Sequence, residues 1–173
     1  MIDRRGVIAG IGAWITAAGP AAAQAAADGG DRGAPLPTYG TRLVLPAVTQ
    51  LDGRATTPTD FDGQLLVLYW WASWCPFGAV QCPLIDQLWL AQRGRGLRVL
   101  GLSIDRKAED ASAYLAKKGY SFPAAMLTPA IARVLPKPRG LPVTVVRGRD
   151  GRVLMAEAGQ IFPEDIEGIA RFL

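Results

Sequence analysis

The sequence predicts an α/β fold: a mixed β-sheet with helices on both faces and a β-hairpin extension at the N-terminal end. Three observations predict it. Leu65 to Trp71 (LLVLYWW) is apolar at every position, as a central strand covered on both faces must be. Downstream, apolar strand-like runs alternate with helical patterns, which joins parallel strands through crossover helices. Near the C-terminus, Val143 to Arg147 and Arg152 to Glu157 flank the turn signal Asp150-Gly151, which adds antiparallel strands.

The elements follow in order. Leu43 to Leu51 is short and apolar and ends at Asp52-Gly53, giving a hairpin or short strand. Asp62-Gly63 turns the chain into the central strand. Pro76 to Gln92 has apolar residues at Val80, Leu84, Leu88 and Leu90 on a largely helical spacing, so these are expected to face the core. Pro83 is expected to kink that helix. Leu97 to Ile104 is a second buried strand. Ala108 to Lys118 is a helix stopped by Gly119. Phe122 to Leu127 is a short strand, and Thr128 to Leu135 a helical turn or two before Pro136. Pro163 to Leu173 closes the chain as a helix, with proline in its first turn and acids beside it.

The N-terminus has a different character. Arg4-Arg5 precede an apolar stretch from Gly6 to Ala18, Gly19-Pro20 breaks it, and Ala23-Gln24-Ala25 has the small-x-small form of a cleavage site. Residues 1–25 therefore read as an export signal, by the twin-arginine or the general route. An uncleaved N-terminal anchor is the alternative, although five Gly and Pro residues make a poor spanning helix. Residues 26–41, rich in Gly, Pro and Asp, read as a flexible linker, and residues 42–173 as the domain. Cleavage after Ala25 removes Asp3, Arg4 and Arg5 and takes the net charge from +4 to +3. The remaining basic residues are scattered, which argues against a nucleic-acid partner. No integral membrane domain is expected after cleavage.

Composition narrows the chemistry. The 173 residues contain two cysteines and no histidine. Without histidine, Ser-His and Cys-His catalysis and His-ligated metals are excluded. Two thiols are too few for an all-cysteine zinc site. No metal and no cofactor is expected. Carboxylates, hydroxyls, Lys/Arg and the thiols Cys75 and Cys82 remain. Cys75 falls where the central strand gives way to the helix starting at Pro76. Free N–H groups and the helix dipole stabilise negative charge on a sulfur placed there. Trp74 and Phe77 flank it with apolar surface. Such a thiol is a candidate nucleophile toward disulfides.

Tyr69-Trp70-Trp71-Ala72-Ser73-Trp74-Cys75-Pro76 resembles the F-W-A-S-W-C-P signature of TlpA/ResA-type periplasmic thioredoxin-like proteins. The resemblance runs from about residue 40 to the end. It includes Phe61-Asp62-Gly63-Gln64, Leu102-Ser103-Ile104-Asp105, Gly119-Tyr120-Ser121-Phe122-Pro123, Gly140-Leu141-Pro142-Val143-Thr144 and Arg149-Asp150-Gly151-Arg152. It implies a thioredoxin-like sheet and a cis-proline at Pro142 facing the nucleophile. It also implies that the backbone of Leu141 pairs with a bound substrate segment. The substrate-binding residues are then Trp74, Pro76, Phe77, Leu141 and Pro142. The partner so implied is a thiol- or disulfide-containing exported protein.

The chain departs from that family at two positions. Its C-x-x-C is here Cys75-Pro76-Phe77-Gly78, so the second thiol is replaced by Gly78. A glutamate that often follows on the helix is replaced by Gln81, which does not titrate. Cys82 is a poor substitute for the missing thiol. Seven residues on a straight helix rise about 10.5 Å, and a disulfide needs Cα atoms within roughly 7 Å. Cys82 is read as a core cysteine, with a resolving thiol or a two-thiolate copper site as lesser readings. The expected activity is thiol–disulfide exchange by a single nucleophile, Cys75, in the periplasm. The alternative is a redox-inactive binding module serving maturation of an exported redox protein. A thiol peroxidase is a minor alternative, since Leu68 and Ala72 stand where peroxiredoxins carry Pro and Thr or Ser.

Overall fold

A computed structural model describes residues 33–173; the expected export signal lies outside these residues. The chain runs β1 (Val48–Thr49), β2 (Ala55–Thr56), β3 (Leu65–Trp71), α1 (Pro76–Gln92), β4 (Leu97–Ser103), α2 (Ala108–Lys118), β5 (Ala124–Met126), α3 (Pro129–Val134), β6 (Val143–Arg147), β7 (Val153–Ala158) and α4 (Pro163–Gly168). β1 and β2 pair antiparallel as the N-terminal hairpin. The main sheet has the order β5-β4-β3-β6-β7. β3 is parallel to β4, with Leu65 opposite Leu97 and Trp71 opposite Ser103. On its other side it is antiparallel to β6, with Trp70 opposite Val143. β5 is short: along β4 it pairs with Gly101 to Ser103, and on its other side Ala125 bridges Gln50.

Every side chain of β3 is buried. Leu65, Val67, Tyr69 and Trp71 join the core that includes Cys82, Ile85 and Leu88 of α1, Ala111 of α2 and Ile166 of α4. Leu66, Leu68 and Trp70 join the opposite core, with Ile131 of α3, Leu45, Val48 and Phe61. The alternation of a strand sends consecutive residues to opposite faces, so Trp70 and Trp71 end in different layers. Truncating any large one of these to alanine costs about 2–5 kcal/mol. Trp71 has room because its neighbouring strand carries Gly101. A Cβ there would lie 2.9 Å from Trp71 Nε1 and 2.8 Å from Phe122.

Several expectations need correction. In α1, Val80 and Leu90 do not face the core; they are 53% and 47% exposed. The buried positions are Gly78, Gln81, Cys82, Ile85, Asp86 and Leu88. Two polar residues point inward because each has fixed partners. Asp86 accepts from the backbone N–H of Ser121 (2.6 Å) and of Phe122 (3.0 Å), which ties α1 to the segment entering β5. Pro83 lies inside α1, which continues through it to Gln92. The carbonyl Pro83 cannot satisfy is that of Ala79, an exposed residue that water can reach. The expected final helix stops at Gly168, a weak helix former, and Ile169–Phe172 forms a tighter 3₁₀ turn.

The segment expected as linker is fastened to the domain from residue 33 onward. Ala34 N–H donates to the Lys137 carbonyl (2.9 Å), Gly40 N–H to Val153 (2.8 Å) and Leu43 N–H to Gly151 (2.9 Å). Arg147, largely buried at the end of β6, donates to the carbonyls of Leu43 and Phe61 and pins the same arm to the sheet. Among the described residues no helix is long and apolar enough to cross a membrane.

Candidate active site

Cys75 is the N-cap residue of α1, in extended conformation (φ −81°, ψ 118°), with Pro76 at the first helical position. Its N–H donates to Ala72 (3.2 Å), and its carbonyl accepts the first helical bond from Ala79 (3.0 Å). The sulfur therefore sits at the end of α1 where the backbone N–H groups are unpaired. Cys75 is 5% exposed, whereas Trp74 and Phe77 beside it are 64% and 57% exposed. Pro76 is also exposed.

The segment leading to Cys75 is held by Asp105, just beyond β4. Its carboxylate accepts from Ser73 N–H (3.1 Å), Ser73 Oγ (2.7 Å) and Ser103 Oγ (2.7 Å). Asp105 is almost fully buried, and each carboxylate oxygen has a donor, the condition under which a buried charge is tolerated. Sequence reasoning placed Asp105 in a strand-end motif but did not give it this role. Its bond to Ser103, two residues away, is local, but the bonds that hold Ser73, 32 residues away, leave no local signal.

Across from Cys75 stands the loop before β6. The Leu141–Pro142 peptide bond is cis. The Cys75 thiol lies 3.8 Å from the Leu141 carbonyl. Pro142 is buried and Leu141 half-buried. The Pro142 carbonyl accepts from Gly159 N–H (2.8 Å) at the end of β7. A shallow groove beside Leu141 is walled by Phe77, Arg139, Gly140, Leu141, Ala158 and Gly159. Cys75, Phe77 and Leu141 thus share one surface, with Trp74 and Pro76 exposed on the chain either side of the sulfur.

Gly78 lies one helical turn from Cys75. A Cβ at this position would meet Cys75 Cβ at 3.5 Å and its sulfur at 3.9 Å, ordinary contact distances. Gln81 is completely buried beneath the site. Its Nε2 donates to Thr144 Oγ1 (2.9 Å) and its Oε1 accepts from Ile161 N–H (2.9 Å). The neutral amide serves a donor and an acceptor at once, joining α1 to β6 and to the approach to α4.

Cys82 belongs to the core. It is fully buried and a free thiol, as is Cys75. Its sulfur lies 3.6 Å from Tyr69 Oη. Burial pushes the Cys82 thiol up to about 11, despite stabilising contacts from Tyr69 and Tyr114. The same burial raises the Tyr69 phenol and moves Tyr114 up to about 12. These groups stay neutral at physiological pH. Leu68 and Ala72 are both buried. The nearest hydroxyl in sequence, that of Ser73, is committed to Asp105. Among the described residues no cluster of three or more His, Cys, Asp or Glu side chains is placed to hold a metal ion.

Comparison with known proteins agrees with this architecture. Thiol-disulfide oxidoreductase ResA of Bacillus cereus is 24% identical over 123 residues, 70% of each chain. A thiol:disulfide interchange protein of the thioredoxin family from Chlorobium tepidum TLS superposes with a TM-score of 0.71. It is 20% identical, with 78% of this chain and 96% of that one covered. A secreted disulfide oxidoreductase of Mycobacterium tuberculosis gives a TM-score of 0.64 at 19% identity, over 73% and 95% of the two chains. Residues 40–128, from the N-terminal arm through β5, match the AhpC/TSA family. With that match covering half its length and a thioredoxin-like sheet carrying it, this chain belongs to the AhpC/TSA family.

Proposed function

We propose that this protein is a thiol–disulfide oxidoreductase that works through one nucleophile, Cys75. The observation that carries the proposal is the placement of the Cys75 sulfur at the start of α1, 3.8 Å from the Leu141 carbonyl. A nucleophile and a backbone edge for an incoming chain meet there on an apolar surface. The similarity to ResA supports the same reading. The Cys75 thiolate attacks one sulfur of a partner disulfide; a Cys75–partner disulfide forms and the partner's other sulfur leaves as thiolate. Trp74, Pro76 and Phe77 form the apolar rim, and Leu141 with Pro142 the docking edge. Gly78 supplies no second thiol and Cys82 is buried in the core. Release therefore takes a thiolate from outside the chain, which attacks the partner's sulfur and restores the Cys75 thiolate. The partner is a cysteine-bearing exported protein, and the protein acts outside the cytoplasm, as the character of residues 1–25 and the secreted relative support.

Gly78 and Gln81 favour a second reading, a binding module that keeps the docking edge without turnover. Incubation with a peptide disulfide separates the two. Exchange predicts a mixed disulfide on Cys75 by mass spectrometry, unaffected by Cys82→Ser and abolished by Cys75→Ser. A thiol that traps no peptide, in a protein that still binds it, would establish the binding module instead. Consumption of hydrogen peroxide without mixed-disulfide formation would return the peroxidase reading.

A further inference from the structure

The loop that presents Leu141 is held by an element that plays no part in the chemistry. Residues 33 and 34 of the N-terminal arm lie against residues 137 to 139, where Ala34 forms a parallel bridge with Pro138. Ala34 N–H donates to the Lys137 carbonyl (2.9 Å), and Arg139 N–H donates back to the Ala34 carbonyl (2.9 Å). Arg139 Nε adds a bond to the Gly33 carbonyl (3.2 Å). The approach is so close that a Cβ on Gly33 would lie 2.6 Å from Arg139 N and 2.7 Å from the Pro138 carbonyl group. Those are backbone atoms, which cannot swing aside, so this position accepts only glycine.

The contact continues toward the site. Two residues beyond Arg139, the Leu141 carbonyl faces the Cys75 sulfur at 3.8 Å. Between them Gly140 has φ +87°, and a Cβ there would press on Ala158 at 3.2 Å. Beyond, the Pro142 carbonyl is held by Gly159 N–H at 2.8 Å. The loop is thus gripped on one side by the arm and on the other by the end of β7, with the docking edge between the two.

We infer that Gly33 and Ala34 are positioning residues for substrate: the N-terminal arm sets the docking edge of Leu141 and Pro142 against Cys75. The inference rests on the reading of Cys75 as the exchange nucleophile. It adds the arm, whose residues 33 and 34 bond the loop rather than the sulfur, to the machinery that decides how well a partner binds.

The test uses Gly33→Val, which forces the arm off the loop, and Ala34→Pro, which deletes the N–H donated to Lys137. Tyr39→Ala, at an exposed position of the same arm, is the control. Exchange with an extended peptide disulfide is measured beside the rate of Cys75 alkylation by iodoacetamide and amide hydrogen exchange. The expected result in both arm variants is a KM raised about tenfold, the equivalent of one lost net hydrogen-bond contribution. The kcat and the alkylation rate stay within about twofold of wild type. The Gly159 amide, bonded to Pro142, exchanges at least tenfold faster, while amides of β3 and β4 keep their protection. Unchanged KM with unchanged Gly159 protection overturns the inference. So does loss of protection throughout β3 and β4, which would make the arm a general stabiliser. If wild type exchanges with no disulfide, the proposed function fails, and Gly159 protection in the variants still decides whether the arm sets the loop.

Discussion

Replacing Gly78 by cysteine should turn the monothiol site into a closed dithiol pair. A Cβ at position 78 would stand 3.5 Å from the Cβ of Cys75 and 3.9 Å from its sulfur. Disulfides have Cβ–Cβ separations of about 3.5–4.5 Å, so the backbone already has the spacing. The added Cβ itself meets only ordinary contacts, the shortest at 3.5 Å. Closing so short a loop removes unfolded-state entropy worth about 2 kcal/mol, and replacing a helical glycine adds about 0.5–1 kcal/mol. The oxidised Gly78→Cys protein should therefore be more stable than wild type, with the larger part of the gain lost on adding reductant. Thiol counting should find one reactive group after oxidation and unfolding, that of Cys82. Turnover with a peptide disulfide at a fixed, low millimolar level of outside thiol should rise at least about tenfold, because release no longer waits for a bimolecular encounter. Urea titrations with and without reductant, with mass spectrometry of the oxidised form, measure all of this. An oxidised variant in which Cys75 remains free, or bonds to Cys82, would refute the geometric reasoning. A closed pair with no gain in turnover would refute the claim that the missing thiol limits release.

Three further outcomes follow from the core. Cys82 keeps its proton to about 11 when folded, against an ordinary value near 9; the unfolded chain thus loses this proton first, and stability falls as pH rises from about 9 to 11, by up to about 3 kcal/mol for this group. Cys82→Ser should reduce that slope by about one proton in urea titrations across this range, leaving the Tyr69 and Tyr114 contributions. Gln81→Leu strands the Ile161 N–H and the Thr144 hydroxyl and should cost about 1–3 kcal/mol of folding stability; a variant as stable as wild type would show that these bonds are replaceable by water. Gly101→Ala drives a methyl into Trp71 and Phe122 and should cost about 1–3 kcal/mol in thermal or urea unfolding, with tryptophan fluorescence altered even in the folded state.

The sequence was informative where a pattern is local. The uninterrupted apolar run of β3 identified the central strand, Asp150-Gly151 the final hairpin, and Cys75-Pro76 the helix start. It misled where burial depends on distant partners. Val80 and Leu90 look like core residues of α1, yet the inward face carries Gln81 and Asp86, whose partners Thr144, Ile161, Ser121 and Phe122 lie 35 to 80 residues away. Apolar periodicity cannot register a polar residue satisfied by tertiary contacts. The arm from Gly33 to Thr41 looked like a linker for a related reason. Its Gly- and Pro-rich composition carries no apolar stripe, and its attachment is through backbone hydrogen bonds to residues 137 to 153. The close approach of the Leu141 carbonyl to Cys75 is similarly a product of topology, because antiparallel pairing of β3 with β6 carries the two strand ends to the same edge.

The shortness of β5 has a consequence for how the protein behaves when crowded. On that side only Gly101 to Ser103 of β4 pair with β5, so the stretch from Leu97 to Leu100, though paired with β3 along its other side, has no strand paired to it there. Arg98 folds back over this stretch and donates its guanidinium to the carbonyls of Leu97 (3.3 Å) and Arg93 (3.2 Å). One acceptor that a foreign strand would use is already taken, and a positive charge stands where that strand would lie. Such charge is a common defence of open sheet edges against intermolecular pairing. Arg98 thus leaves the open part of the β4 edge one acceptor poorer and one charge richer.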